Sequence, residues 1–268
     1  MRDLVELRDL VGSTAEAVRR VGARLAAGQS PEPVAAATLP QARAAFGAVD
    51  GPAVEQLRAL LGPLLPAAGW WEDELAQQLP ADGEWWVCDA TDGAVQYLNG
   101  LPHWAVTATL LRDGEAQLSV VHAPRQGMTY TAVRGGGARL NGRPIAPVAR
   151  ELAIAVAGTA HPPLAASDPV ARRRTGASTA VLLGEVLAVR NLGPTALQVA
   201  HVGSGHLALF WEYGADAGNL LPGALIAEEA GARVTDQAGR PWTLASDGFL
   251  AAAPALHGRL VEALAAVD

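Results

Sequence analysis

Two tight-turn signals lie between strand-like runs in the middle of the chain, and they constrain the fold more than any other feature. Asp113-Gly114 divides residues 105–124 into two apolar runs, and Asn141-Gly142 follows a third run that begins at Met128. An Asp-Gly or Asn-Gly pair between such runs is the strongest short-range signal of a β-hairpin. The sequence therefore predicts a largely antiparallel sheet from Trp85 onward.

The chain after residue 150 alternates between strand-like and helix-like segments. Residues 151–158 and 185–193 are predicted to be strands, and 195–211 a helix followed by a strand. Residues 223–236 are predicted to be a helix leading into a strand, and 256–268 a closing helix. This alternation is typical of an α/β region.

The N-terminal third has helical periodicity. Apolar residues recur at helical spacing over 1–28, which predicts one or two amphipathic helices. A second helix is predicted over 52–65, with Pro52 at its first position. We expect two subdomains, 1–150 with the antiparallel sheet and 151–268 with the α/β pattern.

The charged residues exclude several classes of protein. All 20 basic residues are arginine, so enzymes that need a lysine, such as PLP enzymes and P-loop NTPases, are excluded. The single Cys88 excludes an internal disulfide and a cysteine-rich zinc site. A net charge of −7 argues against a nucleic-acid partner. No apolar run of about 18 residues occurs, so we expect a cytoplasmic protein without a membrane partner.

Two carboxylates follow the strand-like run 85–88. Asp89 and Asp92 are three residues apart and are followed by Gly93. At a strand end they can converge on one point, where a divalent metal and a phosphate are natural occupants. An ordinary turn with an Asp cap is the alternative for an isolated motif of this kind.

The surrounding motifs resemble those of the inositol monophosphatase family. The stretch 85–93 reads WWVCDATDG, against the family's W-V-I-D-P-[IL]-D-G-T, and 98–107 reads LNGLPHWAVT, against G-[LF]-P-x-[FW]-A-V-S. The match continues in order through 132–145, 210–212 and 223–231. The resemblance covers roughly residues 50 to 265.

This resemblance implies a mixed α/β fold, a layered αβαβα sandwich. It also implies a homodimeric, Mg²⁺-dependent phosphomonoesterase that acts on a small phosphorylated substrate. Mn²⁺ is an alternative metal, and no organic cofactor is implied. Five metal ligands follow from it: Glu72, Asp89, the Thr91 carbonyl, Asp92 and Asn219.

The resemblance also assigns roles in the reaction. Catalytic roles fall to Glu72, Asp89 and Asp92, with Glu72 holding the attacking water. Substrate contacts fall to Gly93, Ala94 and Glu212. A solvated helix charge is the alternative for Glu72, and a rim charge is the alternative for Glu212. Asp50 resembles an aspartate that supports the metal site from outside.

Two residues depart from the family pattern. Ala94 replaces a threonine whose hydroxyl helps to orient the attacking water, and Asn219 replaces a carboxylate that binds the second metal. Asp216, three residues before Asn219, is a candidate to compensate. A second hypothesis is therefore a protein with an altered metal centre that serves non-hydrolytic chemistry or ligand binding.

Overall fold

The structure is a computed structural model that describes residues 2–71, 80–162 and 165–267. Its helices are α1 (Arg2–Gly28), α2 (Leu39–Leu61), α3 (Ala94–Leu98), α4 (Pro169–Leu183), α5 (Thr195–Gly203), α6 (Ala217–Glu229) and α7 (Pro254–Leu264). The strands of the first half are β1 (Gly69–Trp71), β2 (Glu84–Asp92), β3 (Ala105–Arg112), β4 (Glu115–Ala123), β5 (Met128–Val133), β6 (Gly137–Leu140) and β7 (Arg143–Pro144). Those of the second half are β8 (Val156–Thr159), β9 (Ala188–Arg190), β10 (Leu209–Tyr213), β11 (Arg233–Thr235) and β12 (Gly248–Ala252).

Among the described residues, the first sheet has seven strands in the spatial order β1 to β7, and only the β1–β2 pair is parallel. Asp113 and Gly114 have φ values of 50° and 77°, and Asn141 and Gly142 have 49° and 79°. Positive φ at both central residues is the type I′ arrangement that suits the twist of a hairpin. The predicted antiparallel sheet is thereby confirmed.

The second sheet, as far as the described ranges show it, has five strands in the order β11-β12-β10-β8-β9. Strands β8, β9 and β10 run parallel, and β12 lies antiparallel to both β10 and β11. This mixed sheet, with helices between its strands in sequence, confirms the α/β character predicted for the second half.

The helices and sheets alternate in five layers. α1 and α2 cover one face of the first sheet, and α5 and α6 fill the space between its other face and the second sheet. α4 and α7 cover the outer face of the second sheet. The predicted αβαβα order is confirmed, and the site forms where the central helix layer meets the end of β2. The subdomain boundary at residue 150 stays a prediction.

The second N-terminal helix differs from its prediction. α2 begins at Leu39, where Thr38 and Gln41 form a capping box, and Pro52 lies inside the helix. An interior proline costs roughly 3 kcal/mol because it removes one helical hydrogen bond. Burial of Ala53, Leu57 and Leu61 against the first sheet offsets that cost, so the prediction of Pro52 at the first position was wrong.

The sequence patterns did not predict two elements of the second half. Helix α4 has a polar first half, although Asp168 and Pro169 form a recognisable helix start, and β12 is a short run of five buried residues. Trp86 is 1% exposed and packs in the core between the first sheet and helices α1 and α2, so it is not available to a subunit interface. Within the described ranges, no helix has both the length and the apolar character needed to cross a membrane.

Candidate active site

The carboxyl end of β2 carries the paired aspartates. The pairing of β2 with β3 shifts register between Asp89 and Asp92, so the strand is irregular where the carboxylates are. Asp89 Oδ1 accepts a hydrogen bond of 2.7 Å from the Thr91 N–H, which fixes this carboxylate to its own strand end. Gly93 follows with a φ of 93°, and a Cβ there would lie 3.0 Å from the His103 carbonyl oxygen. Only glycine allows this turn.

These residues line a cavity of about 370 Å³. Seven of the residues that the sequence analysis names lie on its wall: Asp89, Thr91, Asp92, Gly93, Ala94, Asp216 and Asn219. A site predicted from segments more than 100 residues apart is thus one continuous surface.

Asp92 is held by the start of α5. Its two carboxylate oxygens accept hydrogen bonds of 3.1 Å from the N–H groups of Thr195 and Ala196. Burial raises the pKa of Asp92 to about 7, the Thr195 N–H opposes that shift, and the charge of Asp216 adds to it. The carboxylate therefore needs neighbouring N–H groups or a cation to stay ionised near neutral pH.

Asp216 and Asn219 lie one turn apart at the start of α6. The Asn219 amide nitrogen donates a hydrogen bond of 2.7 Å to Asp216 Oδ1. Asp216 is 7% exposed, and burial raises its pKa against the opposing effect of the Asn219 hydrogen bond. The side chain that replaces the family's carboxylate is therefore paired with another carboxylate.

Glu212 lies in β10, beneath this pair. It is 0% exposed and is absent from the cavity wall. Burial raises its pKa well above the usual value, and the charges of Asp216 and Asp92 raise it further. Because Glu212 has no exposed surface and does not line the cavity, its contact with a substrate hydroxyl stays a prediction.

Asp50 reaches the site from α2. The Thr91 hydroxyl donates a hydrogen bond of 2.6 Å to Asp50 Oδ1. Asp50 thus touches a residue of the cavity wall without lining the cavity itself, and its supporting role at a metal site stays a prediction.

Four of the five predicted metal ligands lie among the described residues. Glu72 lies outside the described residues. Within the described ranges, no group of three or more His, Cys, Asp and Glu side chains is arranged as a complete metal site. The residue types nevertheless suit a hard divalent cation, because residues with carboxylate and amide side chains line one wall.

Several residues of the cavity wall belong to no motif or spacing pattern in the sequence. Phe46 comes from α2, Gln96 from α3, and His161 and Asn191 from the ends of β8 and β9. They belong to four separate segments, and no spacing links them. Only the packing of the layers brings them together.

His201 and His206 lie close together, although they are five residues apart and do not share a helix. Helix α5 ends at Gly203 and the chain turns back, because the Leu207 N–H donates to the His201 carbonyl oxygen. The ring centres of the two histidines are 5.3 Å apart. Tyr130 OH joins His201 Nδ1 at 2.8 Å and Ser204 Oγ at 3.0 Å, which makes this a structural network.

Comparisons with known proteins agree with this architecture. A sequence model described as the inositol monophosphatase family matches residues 61–268. An inositol-1-monophosphatase of Rhizobium meliloti is 34% identical over 192 residues, which is 71% of each chain. The protein named Nus factor SuhB of Pseudomonas aeruginosa is 33% identical over 58% of this chain and 57% of its own length. The solved structure of an inositol monophosphatase from Anabaena superposes with a TM-score of 0.81 at 24% identity, covering 100% of this chain and 98% of that one.

Proposed function

Since this chain belongs to the inositol monophosphatase family, we propose that it hydrolyses a small phosphate monoester with the help of Mg²⁺, which Mn²⁺ can replace. No organic cofactor takes part. Water forms a bond to phosphorus, the bond from phosphorus to the ester oxygen breaks, and the alcohol leaves with a proton. The products are the alcohol and inorganic phosphate.

One observation supports this proposal most directly: residues whose oxygen atoms can bind a metal come from two distant segments and line one cavity wall. Asp89, Thr91 and Asp92 come from the end of β2, and Asn219 comes from α6. Beside them, the buried carboxyl groups of Glu212 and Asp216 are hydrogen-bonded to each other, and burial raises the pKa of both. Neighbouring buried acids repel one another unless one is protonated or a cation lies close to them, so the residues present fit a divalent metal.

The residues divide the work between them. Asp89, Asp92, the Thr91 carbonyl and Asn219 would hold the metal, which supplies a water of lowered pKa and polarises the phosphate when bound. Glu72 would orient that water and accept its proton. The N–H groups of Gly93 and Ala94 would receive phosphate oxygens.

The position of Asp92 depends on α5. Hydrogen bonds from Thr195 and Ala196 fix both of its oxygens, so this carboxylate enters the reaction already oriented. A carboxylate that is already oriented does not have to move when the reaction takes place, so no free energy is spent on its reorganisation.

The rest of the cavity suits a hydroxylated substrate. Gln96, His161 and Asn191 line it with groups that form hydrogen bonds, and Phe46 and Val95 add apolar surface. Amide and imidazole groups recognise hydroxyls by donating and accepting hydrogen bonds. We therefore place the substrate among inositol phosphates, sugar phosphates and similar polyol phosphates.

Phosphate release from a panel of such esters tests this function, with Mg²⁺ and with EDTA. We expect Mg²⁺-dependent release, and a loss on the order of 10²-fold or more in Asp89→Asn, the scale of a positioned catalytic group. Asp82→Asn is the matched control, because Asp82 is exposed and lies away from the cavity. Release that is unaffected by EDTA and by Asp89→Asn would overturn the proposal.

The second candidate is a family member whose altered metal centre serves ligand binding or non-hydrolytic chemistry. Ala94 and Asn219 both lie on the cavity wall, and a relative of this chain bears the name of a Nus factor rather than of a phosphatase. This candidate predicts that polyol phosphates bind, as measured by calorimetry, while no ester on the panel releases phosphate. The absence of a nucleic-acid partner rests on the charge balance alone and stays a prediction.

A further inference from the structure

We propose that Gln29, the residue directly after α1, is a positioning residue for the candidate active site: it holds the segment 93–104, whose first residues form one wall of the cavity. The inference rests on the function proposed above. Gln29 lies outside residues 61–268, which the family model matches, so that match assigns it no role.

The Gln29 side chain is buried and uses all of its hydrogen-bonding capacity. It is 6% exposed. Its Nε2 donates bonds of 3.2 Å and 3.0 Å to the carbonyl oxygens of Tyr97 and Leu101. Its Oε1 accepts bonds of 3.1 Å from Trp104 Nε1 and 2.9 Å from Arg125 Nε. A side-chain amide has two N–H donors and two oxygen lone pairs, so all four are used.

The four partners fix the orientation of the amide. The indole and guanidinium N–H groups can only donate, and the two carbonyl oxygens can only accept. A reversed amide would lose all four bonds. One side chain therefore connects the end of α1 to the last turn of α3, to the loop that follows α3, and to Trp104 at the entry to β3.

The segment that Gln29 holds forms one wall of the cavity. Residues 93–96 line the cavity, and the Tyr97 N–H donates a bond of 3.0 Å to the Gly93 carbonyl oxygen. On its other side, a Cβ at Gly93 would lie 3.2 Å from the Trp104 Cα. The Gly93 turn is thus enclosed between Tyr97 and Trp104, and both of these residues are bonded to the Gln29 amide.

The backbone that follows α1 runs along the same segment. The Val34 N–H donates a bond of 2.8 Å to the Leu98 carbonyl oxygen. Gly100 has a φ of 69°, and a Cβ there would lie 2.5 Å from the Pro31 carbonyl oxygen, so the two backbones approach as closely as only glycine allows. The connection between α1 and α2 therefore supports the position that Gln29 gives to this wall.

Gln29 is absent from the cavity wall, so its effect on a substrate would pass through the backbone of residues 93–104. Without the amide, two carbonyl oxygens and two N–H donors would lose their bonds, and the wall would no longer be held in one position. A misplacement of about 1 Å by a change remote from the chemistry can cost on the order of 10²-fold in rate.

Gln29→Met tests the proposal, because methionine is similar in size to glutamine but makes none of the four bonds. With glycerol 2-phosphate and Mg²⁺, kcat/KM of the folded variant should fall between about 10-fold and 10²-fold. If Gln29→Met does not fold, Gln29→Glu takes its place. Its carboxylate can still accept from Trp104 and Arg125 but has no N–H for the two carbonyl oxygens.

Ser178→Ala is the matched control for a merely structural effect. Ser178 is 0% exposed in α4 and accepts a bond of 2.9 Å from Trp211 Nε1, away from the cavity wall. This variant should be less stable than the parent but should keep the parent's kcat/KM while it is folded. An equal loss of kcat/KM in both variants would overturn the proposal.

Hydrogen exchange measured by mass spectrometry on the full chain gives a readout that needs no activity. In Gln29→Met the amides of residues 93–101 should exchange several-fold faster than in the parent, because local opening of this segment becomes easier. The amides of β12, on the second sheet, should exchange as in the parent. Unchanged exchange of residues 93–101 would overturn the proposal, whatever the activity.

These outcomes are distinct from failure of the proposed hydrolysis. If the parent releases phosphate and folded Gln29→Met has the same kcat/KM, the Gln29 assignment fails and the function stands. If no ester is hydrolysed but residues 93–101 exchange faster in Gln29→Met, the function fails, and the assignment of Gln29 to this wall stands.

Discussion

The Thr91 hydroxyl donates a hydrogen bond of 2.6 Å to Asp50 Oδ1, linking the end of β2 to α2 across 41 residues of sequence. Thr91 is 2% exposed. Burial raises the pKa of Asp50, and the Thr91 hydrogen bond lowers it. Because Thr91 also lines the cavity, this bond connects the outer helix layer to the candidate active site.

Thr91→Val should therefore weaken both the fold and the site. Valine has the same shape as threonine but no hydroxyl, so the partly buried Asp50 carboxylate loses its hydrogen-bond donor. This loss costs about 1–3 kcal/mol of stability. Urea unfolding measures this cost, with Thr91→Ser as the control that keeps the hydroxyl. If the valine and serine variants are equally stable, the hydrogen bond contributes nothing measurable.

Ala94→Thr tests the first departure from the family pattern. Position 94 lies on the cavity wall, and a hydroxyl there would help to orient the attacking water. We expect phosphate release to rise on the order of 10²-fold, the scale of one positioned catalytic group. Ala94→Val is the control, because valine has nearly the same volume without the hydroxyl. Equal rates for the threonine and valine variants would show that the hydroxyl has no role here.

His201 makes stability depend on pH. Burial lowers the pKa of His201 to about 4, and the neighbouring His206 and His103 lower it further. The unfolded chain takes up a proton near pH 6.5, while the folded protein takes it up only near pH 4. The stabilising contribution is therefore complete above pH 6.5 and is lost as the pH falls toward 4, by up to about 3 kcal/mol.

His201→Gln removes this titration while keeping a side chain that can bond to Tyr130 OH. Urea unfolding at several pH values should give a flatter profile between pH 6.5 and 4 for this variant than for the parent. Parallel profiles would assign the pH dependence to other groups.

The assembly of the protein is the last prediction. The resemblance implies a homodimer, and Trp70, Trp71 and Trp85 are only partly buried within the chain, as expected where tryptophan lies at an interface. Light scattering at micromolar concentration should give twice the 27.6 kDa mass of one chain. A mass of one chain would contradict the prediction.

Local signals in the sequence determined much of the fold. The hairpins at Asp113-Gly114 and Asn141-Gly142 were predictable because a type I′ turn demands residues that tolerate positive φ. The paired aspartates at the end of β2 were predictable because a buried strand delivers its last residues to one edge of the sheet. Helix α2 was misjudged for the opposite reason, since its interior proline is tolerated only because distant strands bury that helix.

Tertiary structure decided what the site contains. Nothing in the sequence shows whether Asp216 points inward, and the structure places it on the cavity wall, bonded to Asn219. Nor does the spacing reveal that N–H groups of α5 hold Asp92, more than 100 residues away. The sequence by itself determined which oxygen ligands the chain offers and where its strands turn. The packing of five layers determined which of those ligands meet, because burial and contact depend on residues that are distant along the chain.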